Sequence, residues 1–294
     1  MTGNQLQIPA GHSMDIMHNG FKSALARGQL QVGLWLALAN GYAAEVVAGA
    51  GFDWLLIDAD HAPNTFGTVL SQLQALASYP LEPVVRPARN DPIEIRQLLD
   101  LGARTLLVPM IQSAEDARAA VAAMRFPPSG VRGVGSAATR ASRWNGIDDY
   151  LPAANESVCT LVQLQTCQGI EAIDDICRVE GVDGIFLGPA DTLAADCGYL
   201  GEPGHPAVQQ LLECSLRRIH EQGMAAGVLV NEPGLASRFI ECGSLFIAVG
   251  LDTTLLSLAA GNLARRYGCQ PVVGMRTSAC LGSAGYCRVS RDDV

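Results

Sequence analysis

Leu55-Leu56-Ile57-Asp58-Ala59-Asp60-His61-Ala62-Pro63-Asn64 carries a short apolar strand directly into two acids and a histidine, then into a Pro-Asn turn. Three ionisable groups crowded at the end of a buried strand point to a bound ligand, because burying charge without a partner is expensive. A second apolar run, Gly184-Ile185-Phe186-Leu187, ends similarly in Gly188-Pro189-Ala190-Asp191. In a parallel α/β architecture both strand ends open onto one face, where such folds place their chemistry.

The same rhythm extends along the chain. Apolar runs at Val32–Leu38, Trp54–Ile57, Pro83–Val85, Thr105–Val108, Cys159–Leu164, Gly184–Leu187, Ala226–Val230 and Leu245–Val249 read as strands. Between them, Ala43–Ala50, Ile93–Leu101, Ala114–Met124, Gly169–Arg178, Ala207–Gln222 and Pro233–Cys242 repeat apolar residues at three- and four-residue spacing, as amphipathic helices do. Gly51, Gly102, Gly181, Gly223 and Gly243 stand where helices should end before the next strand. Eight such units predict a (β/α)₈ barrel, with a doubly wound open sheet as the alternative. We divide the chain into a flexible N-terminal segment at 1–20, a barrel at 21–267 and an irregular tail at 268–294 that carries Cys269, Cys280 and Cys287. Phe126 to Asn155, with Pro127-Pro128, then Gly130, Gly133 and Gly135, then Arg140, Arg143 and Trp144, is too long for an ordinary connection and reads as a lid or a subunit contact.

Composition narrows the function. A net charge of −9 argues against nucleic acid and anionic membranes as partners. No run of 18 apolar residues exists, and the N-terminus lacks a signal-peptide pattern, so a cytoplasmic protein is expected. The low charged fraction, 17%, suggests that other subunits cover part of the surface. Of nine cysteines, Cys159, Cys167, Cys177, Cys197, Cys214 and Cys242 form no C-x-x-C pair and read as buried free thiols.

Asp58 with His61 makes an acid–imidazole pair suited to a general base, unless Asp58 merely caps a helix. Arg86, after the third strand, can hold a carboxylate or polarise a carbonyl, or can pair structurally with Asp58 or Asp91. Gln163 and Gln165 alternate on the fifth strand and so share a face. Asp191 can hold Mg²⁺ weakly if substrate and water complete the shell, or can cap the next helix. Trp35 either walls the pocket or packs the barrel floor.

Taken in order, Gly33-Leu34-Trp35-Leu36, Leu55 to Asn64, Val84-Val85-Arg86-Pro87, Arg132-Gly133-Val134-Gly135, Val162-Gln163, Gly188-Pro189-Ala190-Asp191 and Ala248-Val249-Gly250-Leu251-Asp252 resemble the class II pyruvate aldolases of the HpcH/HpaI family, the 4-hydroxy-2-oxoheptane-1,7-dioate aldolase type. The likeness runs from about Phe21 to Tyr267. It implies a hexamer of (β/α)₈ barrels that cleaves a 4-hydroxy-2-oxo acid to pyruvate and an aldehyde with a divalent metal (Mg²⁺, Mn²⁺ or Co²⁺) and no Schiff-base lysine. The resemblance further implies His61 and Asp58 as the proton-transfer pair and Arg86 as the group that steadies the enolate. Gln163, Pro189, Ala190 and Trp35 would line the substrate. Asp191 and the residue at 165 would hold the metal, and Asp100 would act from a neighbouring subunit. Lys22 is the sole lysine and lies outside every candidate strand.

The chain departs from the family pattern at the metal. Where the family reads Val-Gln-x-Glu-Thr, this chain reads Val162-Gln163-Leu164-Gln165-Thr166. Asp60 replaces a glutamate, and the loop Thr192 to Asp196 is one residue longer. A weaker metal site, related 2-oxo acid chemistry and a non-catalytic 2-oxo acid binder are the alternatives these changes raise.

Overall fold

A computed structural model describes residues 18–188, 190–230 and 232–269, and the side chains of Ala190, Asp191 and Pro233 are outside that description. The strands are β1 (Gln31–Leu36), β2 (Trp54–Asp58), β3 (Glu82–Arg86), β4 (Thr105–Val108), β5 (Cys159–Leu164), β6 (Gly184–Leu187), β7 (Ala225–Leu229) and β8 (Ser244–Leu251). They pair in parallel and in sequence order into a closed barrel, β8 returning to β1. The barrel reading therefore holds and the open sheet does not. The helices are α1 (Gly20–Ala26), α2 (Gly41–Ala48), α3 (Phe66–Leu76), α4 (Pro92–Asp100), α5 (Ala114–Met124), α6 (Tyr150–Ser157), α7 (Cys167–Glu171), α8 (Ile173–Cys177), α9 (Ala190–Asp196), α10 (Pro206–Glu221), α11 (Pro233–Glu241) and α12 (Asp252–Arg266).

Strand alternation divides the apolar residues into two cores. Leu34, Leu36, Leu55, Ile57, Val85, Val162 and Leu164 face outward and pack under the helices. Trp35, Trp54, Leu56, Val84, Leu161, Phe186 and Phe246 face inward. Phe21 of α1 closes the bottom, its ring 6.0 Å from both Trp54 and Phe246. Above them Phe186 packs at a tilt against Phe246 at 5.7 Å and against Trp35 at 5.6 Å. Bulky rings fit because Gly33 and Gly227 leave them room: a Cβ on Gly33 would collide with the Trp54 indole, and one on Gly227 with the Phe246 ring. Following the alternation upward, Asp58, Arg86 and Gln163 are the next inward residues on β2, β3 and β5, with Gln165 just beyond β5. The apolar interior ends there and a polar layer begins.

The five glycines expected at helix ends all have positive φ, from 75° at Gly223 to 100° at Gly102. Gly169–Arg178, read as one helix, is two. Ala172 leaves helical geometry between α7 and α8, and Arg218 donates to the carbonyls of Ile170 and Glu171 and to the Asp174 carboxylate. Carbonyls satisfied from outside release the chain from a continuous helix.

The 126–155 segment joins the end of α5 to the start of β5, at the barrel bottom. It runs along the C-terminal end of α4, where Arg132 pairs with Asp100 at 2.8 Å, Arg140 donates to the Leu101 carbonyl at 2.8 Å and the Ala141 N–H donates to the Asp100 carbonyl. It is no lid over its own barrel mouth. Much of the proposed N-terminal segment and tail, including Cys280 and Cys287, lies outside the described residues; His18 and Asn19 are tied to the bottom of the barrel through Arg104, Thr105 and Ser157.

Candidate active site

Asp58 and Arg86 are register partners on β2 and β3, and both are buried. The guanidinium grips the carboxylate with two parallel bonds, Nε to Oδ1 at 2.9 Å and Nη2 to Oδ2 at 2.6 Å. The Trp35 indole N–H adds a third bond to Oδ2 at 3.2 Å, and the Arg86 guanidinium lies 5.1 Å from the Trp35 ring centre. Trp35 is thus an interior residue that also touches the polar layer. The N–H groups of Asp60 and His61 donate to Asp58 Oδ1 at 3.0 and 3.3 Å. Burial pushes the Asp58 carboxyl up; the Arg86 bonds and charge, with the Asp60 and Trp35 donors, outweigh it and hold the group below the usual carboxylate range.

This arrangement revises the acid–imidazole pair. Asp58 meets His61 through the backbone, while the imidazole Nε2 lies 3.6 Å from Asp60 Oδ2. The reason is competition: a buried guanidinium takes a carboxylate bidentately, leaving it no lone pair aimed at a ring that is 67% exposed. Asp60, which the sequence offered only as a shortened acid, sits between the imidazole and the guanidinium, 3.6 Å from His61 Nε2 and 3.6 Å from Arg86 Nη1. Asn64 fixes the same turn, donating to the Asp58 carbonyl at 2.7 Å and accepting from Gln72 and Thr68. The Pro-Asn pair was its only signal in the sequence.

Gln163 is fully buried, and its Oε1 accepts from Arg86 Nη1 at 3.4 Å. Its Nε2 is buried with no hydrogen-bond partner among the described residues. An orphaned amide donor beside a guanidinium is matched by an oxygen-rich, anionic ligand. Gln165 accepts from the Met110 N–H at 3.1 Å, a contact with no signal in the sequence because it depends on a main-chain turn in which Met110 has φ 56°. The exit of β6 presses on Gln165: the Gly188 N–H donates to the Leu164 carbonyl at 2.7 Å, and a Cβ on Gly188 would lie 2.5 Å from Gln165 Cγ. The next helix, α9, has Ala190 and Asp191 in its first turn. Pro189 and the Asp191 side chain lie outside the described residues.

Asp100 ends α4, which runs back to the barrel bottom, so within its own chain it is on the opposite side from Asp58. Lys22 is also at the bottom, its Nζ donating to the Val158 carbonyl at 2.8 Å. No amine at the barrel mouth comes from Lys22. A cleft of about 560 Å³ lined by Phe21, Arg104, Arg132 and Tyr150 lies at that lower end and contains none of the polar layer.

A profile of the HpcH/HpaI aldolase/citrate lyase family matches residues 31–259. The chain belongs to this family. It is 58% identical over 254 residues to an Escherichia coli protein named 4-hydroxy-2-oxo-heptane-1,7-dioate aldolase, covering 86% of this chain and 97% of that one. Among solved structures, an HpcH/HpaI aldolase/citrate lyase family protein from Burkholderia cenocepacia superposes with a TM-score of 0.81 at 38% identity, over 84% of this chain and 98% of that one. Macrophomate synthase shares the fold at 22% identity and a TM-score of 0.71, over 85% and 87% of the two chains.

Among the described residues, no three His, Cys, Asp or Glu side chains cluster as a metal site. The described oxygen donor at the β5 exit is the Gln165 amide, which accepts from the Met110 N–H. A hard oxygen donor of this kind, completed by a carboxylate, water and substrate oxygens, fits a divalent cation.

Proposed function

We propose that this protein catalyses reversible, metal-dependent aldol cleavage of a 4-hydroxy-2-oxo acid of the heptanedioate type, giving pyruvate and an aldehyde. The observation that carries this reading is the buried polar layer at the C-terminal end of the barrel, where the partnerless Gln163 amide and Arg86 Nη1 converge. The likeness to the named E. coli aldolase supplies the substrate class.

Gln165 and Asp191 would hold the cation, and the chemistry it would supply there is Lewis-acid polarisation of the 2-keto oxygen. Arg86, locked by Asp58 and Trp35, presents Nη1 to the developing enolate oxygen, and the Gln163 amide donates beside it. His61 takes the proton of the 4-hydroxyl as the aldehyde departs and delivers a proton to C3 of the enolate, with Asp60 orienting the ring. The Ala190 and Pro189 backbone would flank the substrate carboxylate. We assign Asp100 to a neighbouring subunit's site in a homo-oligomer, taken as a hexamer. Exposed Val131, Val134 and Trp144 near Arg132 and Asp100 support a subunit contact there. The seven cysteines described are free, in keeping with a cytoplasmic location.

One observation favours a second reading. Gln165 brings no charge, and its oxygen already accepts from Met110, so a silent 2-oxo acid binder remains the rival. Pyruvate release from 4-hydroxy-2-oxoheptanedioate, scanned over Mg²⁺, Mn²⁺, Co²⁺ and a chelator, separates them. We expect metal-dependent release that the chelator abolishes; no release with any cation would favour the binder.

A further inference from the structure

Two thiols meet between the segments that carry the proposed metal donors. Cys167, the first residue of α7, lies two residues after Gln165, and Cys197 follows the last residue of α9. Their sulfurs are 2.9 Å apart although they are 30 residues apart in sequence. Both are half-buried, so small reagents can reach them. A second tie holds the same segments in register: the Cys167 N–H donates to the Asp196 carboxylate at 2.6 Å. A disulfide requires sulfurs at about 2.05 Å, a further closure of less than about 1 Å.

We infer that Cys167 and Cys197 form a reversible intrachain disulfide that clamps the β5 exit to the end of α9 and slows turnover at the site between them. Glutathione disulfide is the oxidant by class. One protein thiolate displaces a glutathione thiolate to give a mixed disulfide; the second then attacks the protein sulfur and expels the other glutathione. Two electrons and two protons pass from the pair to two glutathione thiols, and dithiothreitol reverses the change. Drawing the sulfurs together shifts the end of α9 against the strand exit that holds Gln165. Metal–ligand distances keep within about 0.2 Å of their standard values, so a shift larger than that would disturb a cation held by Gln165. Exposed Cys214 and half-buried Cys177 serve as internal controls, since neither contacts another thiol among the described residues.

The slowing of turnover rests on the aldolase reading; the cross-link does not. The full-length protein should be reduced, titrated with glutathione disulfide and mapped by non-reducing peptide mass spectrometry. We expect one dominant cross-linked peptide joining residues 167 and 197, absent in Cys167→Ser and Cys197→Ser and removed by dithiothreitol. Pyruvate release should fall on the order of 10- to 100-fold with cross-linking, the scale of an ångström-sized misplacement. Reduced Cys197→Ser should match the reduced parent and ignore the oxidant. Cys167 and Cys197 recovered as separate glutathione adducts, or joined to Cys280 or Cys287, would overturn the pair. Full cross-linking with an unchanged rate would overturn the control. A reduced protein that cross-links but never releases pyruvate would uphold the thiol pair and sink the aldolase reading.

Discussion

At residue 165 a single atom would decide how tightly the proposed cation is held. Glutamate and glutamine fill nearly the same volume, so Gln165→Glu keeps the Met110 N–H bond and restores a negative charge. We expect Mn²⁺ affinity to rise on the order of 10- to 1,000-fold, because Mg²⁺-type sites rely on one or two carboxylates; unchanged affinity by titration would mean that residue 165 holds no metal. His61 is exposed, so His61→Ala should leave thermal stability within about 0.5 kcal/mol. It should abolish solvent deuterium exchange into the pyruvate methyl group, and retained exchange would remove His61 as the proton carrier. Asp58→Asn is the opposite case. It strands a buried guanidinium, and losing one partner of a buried pair costs about 3–5 kcal/mol. The folded Asp58 carboxyl titrates below its unfolded value, so its stabilisation is complete above that value and fades as the pH falls. The parent's advantage over Asp58→Asn in thermal melts should therefore be widest near neutrality and shrink below about pH 4. The sequence made Asp58, His61 and Arg86 stand out because ionisable groups at strand ends are costly without a ligand. It did not show which acid meets the imidazole, since that turns on a guanidinium from a strand 28 residues away.

At the scale of elements, alternation both built the barrel and aimed the site. Period-two residues on β2, β3 and β5 send Leu56, Val84 and Leu161 inward below Asp58, Arg86 and Gln163. Strand cores were legible for that reason, while their edges moved: Asp58, Glu82 and Arg86 are strand residues, since ladder bonds continue past the apolar run. α3 and α12 did not stand out among the helical patterns, and α3 owes its start to a Thr65–Thr68 capping box rather than to composition. The interior glycines were not legible as packing residues, because their partners Trp54 and Phe246 lie on other strands. Gly227→Ala tests that packing. Its methyl group would enter the Phe246 ring with no flexible neighbour to yield, and overpacking of this kind costs about 1–3 kcal/mol. We expect a lower melting temperature, and an unchanged one would show that the aromatic layer can shift freely.

For the whole molecule, the proposed site shared between subunits would account for the placement of Asp100. Its helix ends at the barrel bottom, where Arg132 holds the carboxylate and that side chain remains 27% exposed. Arg132 itself is buried over the Phe126 ring and has an orphaned Nε, so the Asp100 pair also orders the 126–155 segment. A loss of activity in Asp100→Asn alone would therefore not distinguish chemistry from folding. Mixed oligomers do. Asp100→Asn and His61→Ala subunits, each inactive by itself, should regain activity when co-assembled, because a neighbour with intact Asp100 can complete a site with intact His61. Random mixing in a closed symmetric ring gives about a quarter of sites both groups. Recovery near that level, with hexamers by light scattering, would place Asp100 across the interface. No recovery from well-mixed, folded oligomers would confine it to bracing Arg132, and a monomeric parent would remove the shared site altogether.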